Sequence, residues 1–467
     1  MRKRTRSEEE KTSATYRQDG KLSPLLKKRA LVICKPVEVL TLGNSSHKFV
    51  DSTVKKRLPS ILKNIIQKNS LDWKAKGKAY LAMTKMRLEE LRQEVDENCY
   101  CGNIEVKLLD DLPQNQTWNG EYIRENDGKK LMNISTFFLE NYFYRRILDA
   151  VLYWENKIDP FTLHKSELID SSYEPFKKIF DRVSSCRKAG NSIVINNDCG
   201  AKYNENKASL DQKQFFRMLL HYQLWGNRAD LSLSAGATDV PSANKEAVSL
   251  LVDDSDSVLD MLMVDEGKNA NRKVIIVLDN CGLELLCDLL FANSLLTDGV
   301  CEQVELHCKS TPVFVSDALG KDIQQTIVWL KSNGFASLSS SLHTSIEEGK
   351  LHIIDDLEFY TSPLSYAEMP KALVNRFSDA DLVVIKGDAN YRRLLGERKW
   401  QLDTRFKDAL SYFQNTNILA LRTLKWPLAV GLDSKVVDHA KTQIGNDWDI
   451  CGRCGTIQYA QFKNACT

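Results

Sequence analysis

The chain has 467 residues, 43% of them apolar and 9% aromatic, and carries 64 Lys and Arg against 62 Asp and Glu. That composition builds a folded core, and a net charge of +2 leaves no global field to draw in nucleic acid or a membrane surface. The longest apolar runs fall well short of the ~20 residues a bilayer span needs, and the N-terminus lacks the apolar core and small-residue cleavage site of a secretory signal. A cytoplasmic or nuclear protein is expected, with no membrane and no nucleic-acid partner.

Residues 1–47 are polar and charged without periodicity and are expected to form a disordered tail; "RKRTR" and "KKR" within it are compatible with a nuclear localisation signal. From Val54 the pattern turns helical. "TVKKRLPSILKNIIQKN" sets Leu58, Ile61, Leu62, Ile65 and Ile66 on one face. "AYLAMTKMRLEELRQEV", "STFFLENYFYRRILDAVLYW" and "KQFFRMLLHYQLWGN" continue in kind, interrupted by polar tracts near "AGNSIVINNDCGAKYNENKAS" and "SLSAGATDVPSANKEAVS" that look like loops. A mostly helical domain is expected over residues 48–265.

After residue 270 short β-rich runs alternate with helical ones: "KVIIVL", a helix over 283–296, "QVELHC", "TPVFVS", a helix near 321–333, "KLHIID", "DLVVIK" and "NILALR". Alternation of this kind predicts βαβ units in a mainly parallel sheet covered on both faces, an α/β domain over residues 266–467. The 12 cysteines are scattered. "CGRCG" offers Cys451 and Cys454 at metal-ligand spacing, but no second pair lies nearby, so structural thiols are the stronger reading over zinc.

In open α/β sheets ligands bind outside the carboxyl ends of the strands. Three predicted strands end in polar residues, in "VLDNCG", "FVSDALG" and "VIKGDANYRRL". Asp279, Asn280 and Asp317 are hard oxygen donors that suit Mg²⁺ or Mn²⁺, and Glu284 lies one helical turn beyond Asn280. The alternative makes Asp279 and Asp317 helix N-caps. Asp388, Asn390 and Arg392 around Gly387 have the composition of a loop that meets phosphate with backbone N–H groups and a guanidinium; the alternative is an ordinary turn. "RTLK", 422–425, adds two cations after another strand.

"VLDNCGLELLCDLLFA", "KSTPVFVSD", "IKGDANYRRLLGERKW" and "RTLK", with "STFFLENYFYRRI" and "LWGNRADLSLS" in the helical half, closely resemble the metal-dependent damage-control phosphatase family. The likeness is to the subfamily marked by an Arg-Thr-x-Lys motif, whose animal members carry a second name as acidic residue (protein-glutamate) methyltransferases. It covers roughly residues 50–462 and leaves out the tail and the 188–210 insertion. It implies a three-layer α/β/α core preceded by a helical N-terminal domain. It also implies metal ligands at Asp279, Asn280 and Asp317, a cofactor or substrate contact at Glu284, a substrate-binding loop at Asp388, Ala389, Asn390, Tyr391 and Arg392, and the motif lysine at Lys425. Cys281, Ala389 and Cys454 depart from the usual residues without removing a ligand.

The resemblance implies hydrolysis of sugar phosphates, fructose 1-phosphate and fructose 6-phosphate among them, with Mn²⁺, Co²⁺ or Ni²⁺ (Mg²⁺ also suits the donors). The divalent ion would neutralise phosphoryl charge and activate water, with Arg392 and Lys425 clamping the other oxygens and Asp279 or Asp388 handling the proton. The alternative is methyl transfer from S-adenosylmethionine to glutamate side chains of a protein substrate. Against it, the first strand is followed by one glycine, not by a glycine-rich loop.

Overall fold

The computed structural model describes residues 38–41, 56–68, 70–99, 105–130, 133–188, 212–226, 249–263 and 272–463. The first helices are α1 (Leu58–Lys68), α2 (Lys78–Cys99) and α3 (Thr136–Ala150). α1 buries Leu58, Leu62 and Ile65, a single stripe. α3 begins where the Ser135 side chain accepts from the Phe138 N–H, satisfying one of the free donors of the first turn. These helices share an aromatic-rich core that includes Trp73, Phe137, Tyr142, Phe143 and Tyr144.

The chain continues through α4 (Thr162–Ser171), α5 (Tyr173–Lys188), α6 (Gln212–Trp225), β1 (Ser249–Asp253), α7 (Ser255–Met263), β2 (Lys273–Val277), α8 (Leu283–Thr297) and β3 (Gln303–His307). Then follow α9 (Gly320–Ser332), α10 (Ala336–Glu347), β4 (Leu351–Ile354), α11 (Lys371–Asp379), β5 (Leu382–Lys386), α12 (Asp388–Leu395), β6 (Ile418–Thr423), α13 (Ser434–Ile444) and β7 (Cys454–Ala460). The seven strands form one sheet in the order β1-β7-β6-β5-β2-β3-β4. Its pairings are parallel except β6 with β7. Successive side chains of a strand point to opposite faces: Val274 and Ile276 of β2 join the core formed with α5 to α10, whereas Ile275 and Val277 join the core under α11 and α12. Burial on both faces is why these strands read as continuous apolar runs. α8 is buried from Leu283 to Leu295, as a helix apolar nearly all round must be.

The α/β class and the helical N-terminal part agree with expectation; three details differ. "TPVFVS" is not a strand. Phe314 and Val315 have φ of 51° and 70°, and Phe314 turns away to join the helical core. β1, within the stretch expected to be mostly helical, lies in the sheet, and α5 to α7 cover its face. The expected unstructured tail fails at residues 38–41: Val39 bridges Arg398, Thr41 bridges Ser135, and Leu40 is buried, an edge contact too short to leave a pattern in the sequence. Residues 1–37 and 42–47, the 189–211 tract and residues 227–248 lie outside the described residues.

Candidate active site

β2 leaves the sheet as Leu278-Asp279-Asn280-Cys281, and the segment 316–318 returns beside it. The Cys281 N–H donates to the Ser316 carbonyl at 2.7 Å and the Ala318 N–H to the Asp279 carbonyl at 2.8 Å, forming an Asn280–Asp317 bridge. Two chain segments far apart in sequence thus carry Asp279, Asn280 and Asp317 to one place. Asn280 is oriented at both ends of its amide. Its Nδ2 donates to Asp279 Oδ2 at 2.6 Å and to Glu284 Oε2 at 3.0 Å, and its Oδ1 accepts from the Ser316 hydroxyl at 2.5 Å. Neither acid is an N-cap: Gly282 caps α8 and Leu319 caps α9.

Asp279 and Asp317 are 4% and 1% exposed, and Asp279 Oδ1 has no hydrogen-bond partner among the described residues. Asp317 Oδ2 lies 3.2 Å from the Lys309 ammonium, outside hydrogen-bond geometry. Burial, and then the charges of Asp317 and Glu284, push the Asp279 carboxyl well above the ordinary carboxylate range, against Lys309 and Lys425. Burial also raises Asp317, with Lys309 opposing. Two dry carboxylates with free lone pairs are what a cation would relieve, because a bound ion inverts the balance of charge that raises them. The oxygen donors here are two carboxylates and one amide carbonyl, a hard set.

Two helix N-termini open on the same place. The Asp388, Ala389 and Asn390 N–H groups at the start of α12, and those of Leu283, Glu284 and Leu285 in α8, precede the first intrahelical donors, Tyr391 and Leu286. Such free donors make an anion site. Gly387, at φ 81°, lets the chain pass against Asp279, since a Cβ there would stand 1.9 Å from Asp279 Oδ2.

A family model described as the damage-control phosphatase ARMT1-like domain matches residues 53–439. The chain belongs to that family. It is 30% identical to the damage-control phosphatase ARMT1 of Danio rerio, over 88% of this chain and 94% of that protein. It is 29% identical to the one of Homo sapiens, over 89% and 97%. A crystal structure of a DUF89 family protein from Pyrococcus horikoshii aligns over 85% of this chain and 94% of that one at 15% identity, with a TM-score of 0.37, too loose to bear on the site.

The remaining damage-control motif residues divide into two sets. Asp388 lies at the site, its Oδ1 accepting from Arg422 Nε at 2.8 Å and from the Lys425 N–H at 3.1 Å. That bond supplies the turn that brings Lys425 round after β6. The Lys425 ammonium acts on Asp279 and has no ion-pair partner among the described residues. Ala389 packs against the helical core. Asn390 is fully engaged: it donates to the Leu278 and Lys386 carbonyls and accepts from Lys309 at 3.2 Å. The Tyr391 hydroxyl donates to Gln458 Oε1 at 2.8 Å, behind the site. The phosphate clamp expected at Arg392 is not available. Its guanidinium is 3% exposed, binds Glu397 through two nitrogens at 2.9 and 3.0 Å and Glu140 at 2.5 Å, and lies 3.8 Å over the Trp426 ring. A charge at a strand end shows its presence in sequence but not its partners, and Glu140 lies in α3.

Three further groups belong to the site without a motif of their own. Lys309 joins the Leu278 carbonyl, Asn390 and Asp317, tying together three segments. Lys386, fully buried, holds Glu284 at 3.3 Å and Asp288 at 3.1 Å, and donates to the Gln223 carbonyl at 2.5 Å. Burial, opposed by Lys386, takes the Asp288 carboxyl up to about 7. A lysine at the end of β5 in "VIKG", and one two residues past β3 in "HCKS", were the available clue. The third group, Phe314 and Val315, holds the loop before Asp317 in left-handed backbone, which costs about 1–3 kcal/mol per residue and persists only where the surroundings enforce it. Phe314 is enforced by Phe137 at 6.0 Å and Tyr144 at 5.3 Å between ring centroids.

Proposed function

We propose that the chain is a divalent-metal-dependent phosphomonoesterase acting on small phosphorylated sugars, fructose 1-phosphate and fructose 6-phosphate among them, in a damage-control role. The observation behind this reading is the buried carboxylate oxygen of Asp279, unpartnered among the described residues, beside Asp317 and against Gly387 at the start of α12. Asp279, Asn280 and Asp317 would hold the metal, Mn²⁺, Co²⁺ or Ni²⁺, with Mg²⁺ also compatible with oxygen donors. When bound, the ion supplies charge neutralisation at the phosphoryl group and a more acidic water.

The chain's own groups do the rest. Asn280 is held by Glu284 and Ser316, so its Oδ1 is fixed before any ligand arrives. The N–H groups of α12 and the Lys425 ammonium take phosphoryl oxygens, as fixed donors whose reorganisation is already complete. Asp388 positions Lys425 through its main chain and, with one carboxylate oxygen remaining, is a candidate with Asp279 for holding the proton that passes to the leaving sugar oxygen. Lys386 fixes Glu284 from below.

Methyl transfer from S-adenosylmethionine to a protein glutamate is not favoured. The β2–α8 turn carries the single glycine Gly282, packed against Leu168, where a nucleotide-type cofactor would need room for close backbone approach. Purified protein is assayed against p-nitrophenyl phosphate and the two fructose phosphates, with and without Mn²⁺ or Co²⁺, alongside a radiolabelled methyl-donor assay. Metal-dependent phosphate release is expected; methyl transfer without it would overturn the reading.

A further inference from the structure

The cations around the site are unequally free. Lys309, Lys386, Arg392 and Arg422 each have carboxylate or carbonyl oxygens at 3.4 Å or closer. Beside Lys425, a second loosely paired cation reaches this region, and it comes from the helical half. Arg57 immediately precedes α1. Its side chain is 52% exposed, and its ion pair, from one terminal nitrogen to Glu140 Oε1, is long at 3.8 Å. The other oxygen of Glu140 already holds Arg392 at 2.5 Å, so Glu140 cannot neutralise both.

Among the described residues, Arg57 has no closer ion pair than this, which leaves most of its guanidinium donors available. Its electrostatic neighbours are Tyr144, Glu140, Arg392 and Asp388. The Tyr144 phenol in turn feels Arg57 and Asp317. Its hydroxyl makes no hydrogen bond among the described residues, and its ring is fixed by Phe143, Phe161 and Phe314. Glu140 and Tyr144 lie one turn apart on α3, and Asp388 and Arg392 one turn apart on α12, so the ion pairs that run from Arg57 through Glu140 to Arg392 set Arg57 beside the face of α12 that carries Asp388, with Tyr144 next to the Phe314 loop that leads to Asp317. Ala389 of α12 packs on the same helical core as Leu58, the residue after Arg57.

On the reading given under Proposed function, we propose that Arg57 is a substrate-binding residue: its guanidinium takes the phosphoryl oxygens of a phosphate monoester opposite Lys425, the role that Arg392 cannot fill, with the Tyr144 hydroxyl donating beside it. A planar fork of N–H donors matches two phosphate oxygens, and half exposure lets it swing from Glu140 to a ligand of higher charge. The helical half is then part of the substrate pocket, not only a cap on the sheet.

The test uses the full chain with Mn²⁺, comparing wild type with Arg57→Ala and Arg57→Lys, and with Arg124→Ala as an exposed control. Inorganic phosphate is the probe, read twice: as a competitive inhibitor of p-nitrophenyl phosphate hydrolysis, and by the rise in melting temperature it causes without turnover. Arg57→Ala is expected to raise KM and the phosphate Ki about ten- to a hundredfold, the usual worth of a hydrogen bond to a charged group. kcat should change less, and the Mn²⁺-dependent melting shift should stay as in wild type. Arg57→Lys should recover part of the loss, having the charge but not the fork, and the control should match wild type. An unchanged KM and Ki in Arg57→Ala overturns the proposal, and so does a phosphate melting shift equal to wild type. Should the wild type release no phosphate from any ester, the function reading fails, and the melting shift still decides the role of Arg57: its loss in Arg57→Ala supports that role, and its absence in wild type ends it.

Discussion

Gly387 and Asp279 compete for one volume: a Cβ on the glycine would stand 1.9 Å from Asp279 Oδ2 and 2.2 Å from Asp279 Cγ. The glycine also sits at φ 81°, where an L side chain is strained. Gly387→Ala should therefore act twice. It should cost about 1–3 kcal/mol of stability through the backbone, and it should displace the carboxylate, removing bound metal and phosphate release. Melting curves with elemental analysis of the purified variant test this; normal metal content would show that Asp279 can move aside.

Asp279→Asn and Asp317→Asn should each abolish metal-dependent hydrolysis while the metal-free protein becomes more stable. Both carboxyls titrate above their ordinary range in the folded chain, so at neutral pH their ionised forms oppose folding. Removing one such charge should therefore stabilise the metal-free form. Calorimetry in chelator and in excess Mn²⁺ separates the two effects: the variants should melt above wild type in chelator and gain nothing from the ion.

Lys425→Ala should lower kcat/KM for phosphate esters by about 10²–10³, the usual cost of a preorganised charge-stabilising donor. Lys425→Arg should restore part of it, because a planar fork does not reproduce a compact ammonium. Metal binding should survive in both. Steady-state kinetics with metal analysis decides, and wild-type turnover in Lys425→Ala would return this side chain to the solvent.

Arg392→Met makes the opposite kind of prediction. Its removal leaves Glu140 and Glu397 buried without their shared counter-ion, a loss of about 3–5 kcal/mol. The expected signature is a large fall in urea midpoint, with KM of the folded fraction near wild type. A raised KM at unchanged stability would reinstate Arg392 as a ligand contact.

Much of this was legible because β2, β5 and most of β6 are apolar on both faces and Asp279 and Asn280 interrupt an apolar run. Asp279 and Asn280 could be picked from "VLDNCG" for that reason. β7 could not be recognised as a strand from "CGTIQYA", since its inward Gln458 serves Tyr391 and the Val430 carbonyl, a polar core no period reveals. "TPVFVS" carried strand-forming residues, yet Phe314 gains more from the aromatic core of α3 than from pairing. Arg392 and Arg57 each lie in a short basic run in sequence, and only their places around Glu140 separate a buried, doubly paired cation from a half-exposed one with a long ion pair.

Asp149 gives a prediction in pH. Burial raises its carboxyl to about 6 from 3.8, with Arg145 opposing. Because the folded state holds this proton more tightly than the unfolded one, stability from this residue rises as pH falls through about 6 towards 4. Above pH 7 the ionised group costs on the order of 2–3 kcal/mol. Asp149→Asn should be more stable than wild type at pH 8, and the difference should vanish below pH 4. Urea titrations of both proteins across that range test it; a constant difference would mean that packing, not charge, separates them.

The wedge of Phe314 between Phe137 and Tyr144 has a genetic consequence. Asp317 is only three residues from that ring, and the loop between them is held in a shape it would leave if released. In a selection for activity, substitutions at Phe137 or Tyr144 should score with substitutions at Asp317 itself, although neither is an acid and both lie more than a hundred positions upstream. A variant map of this chain would show its helical half to be as intolerant at those two rings as the motifs that name the family.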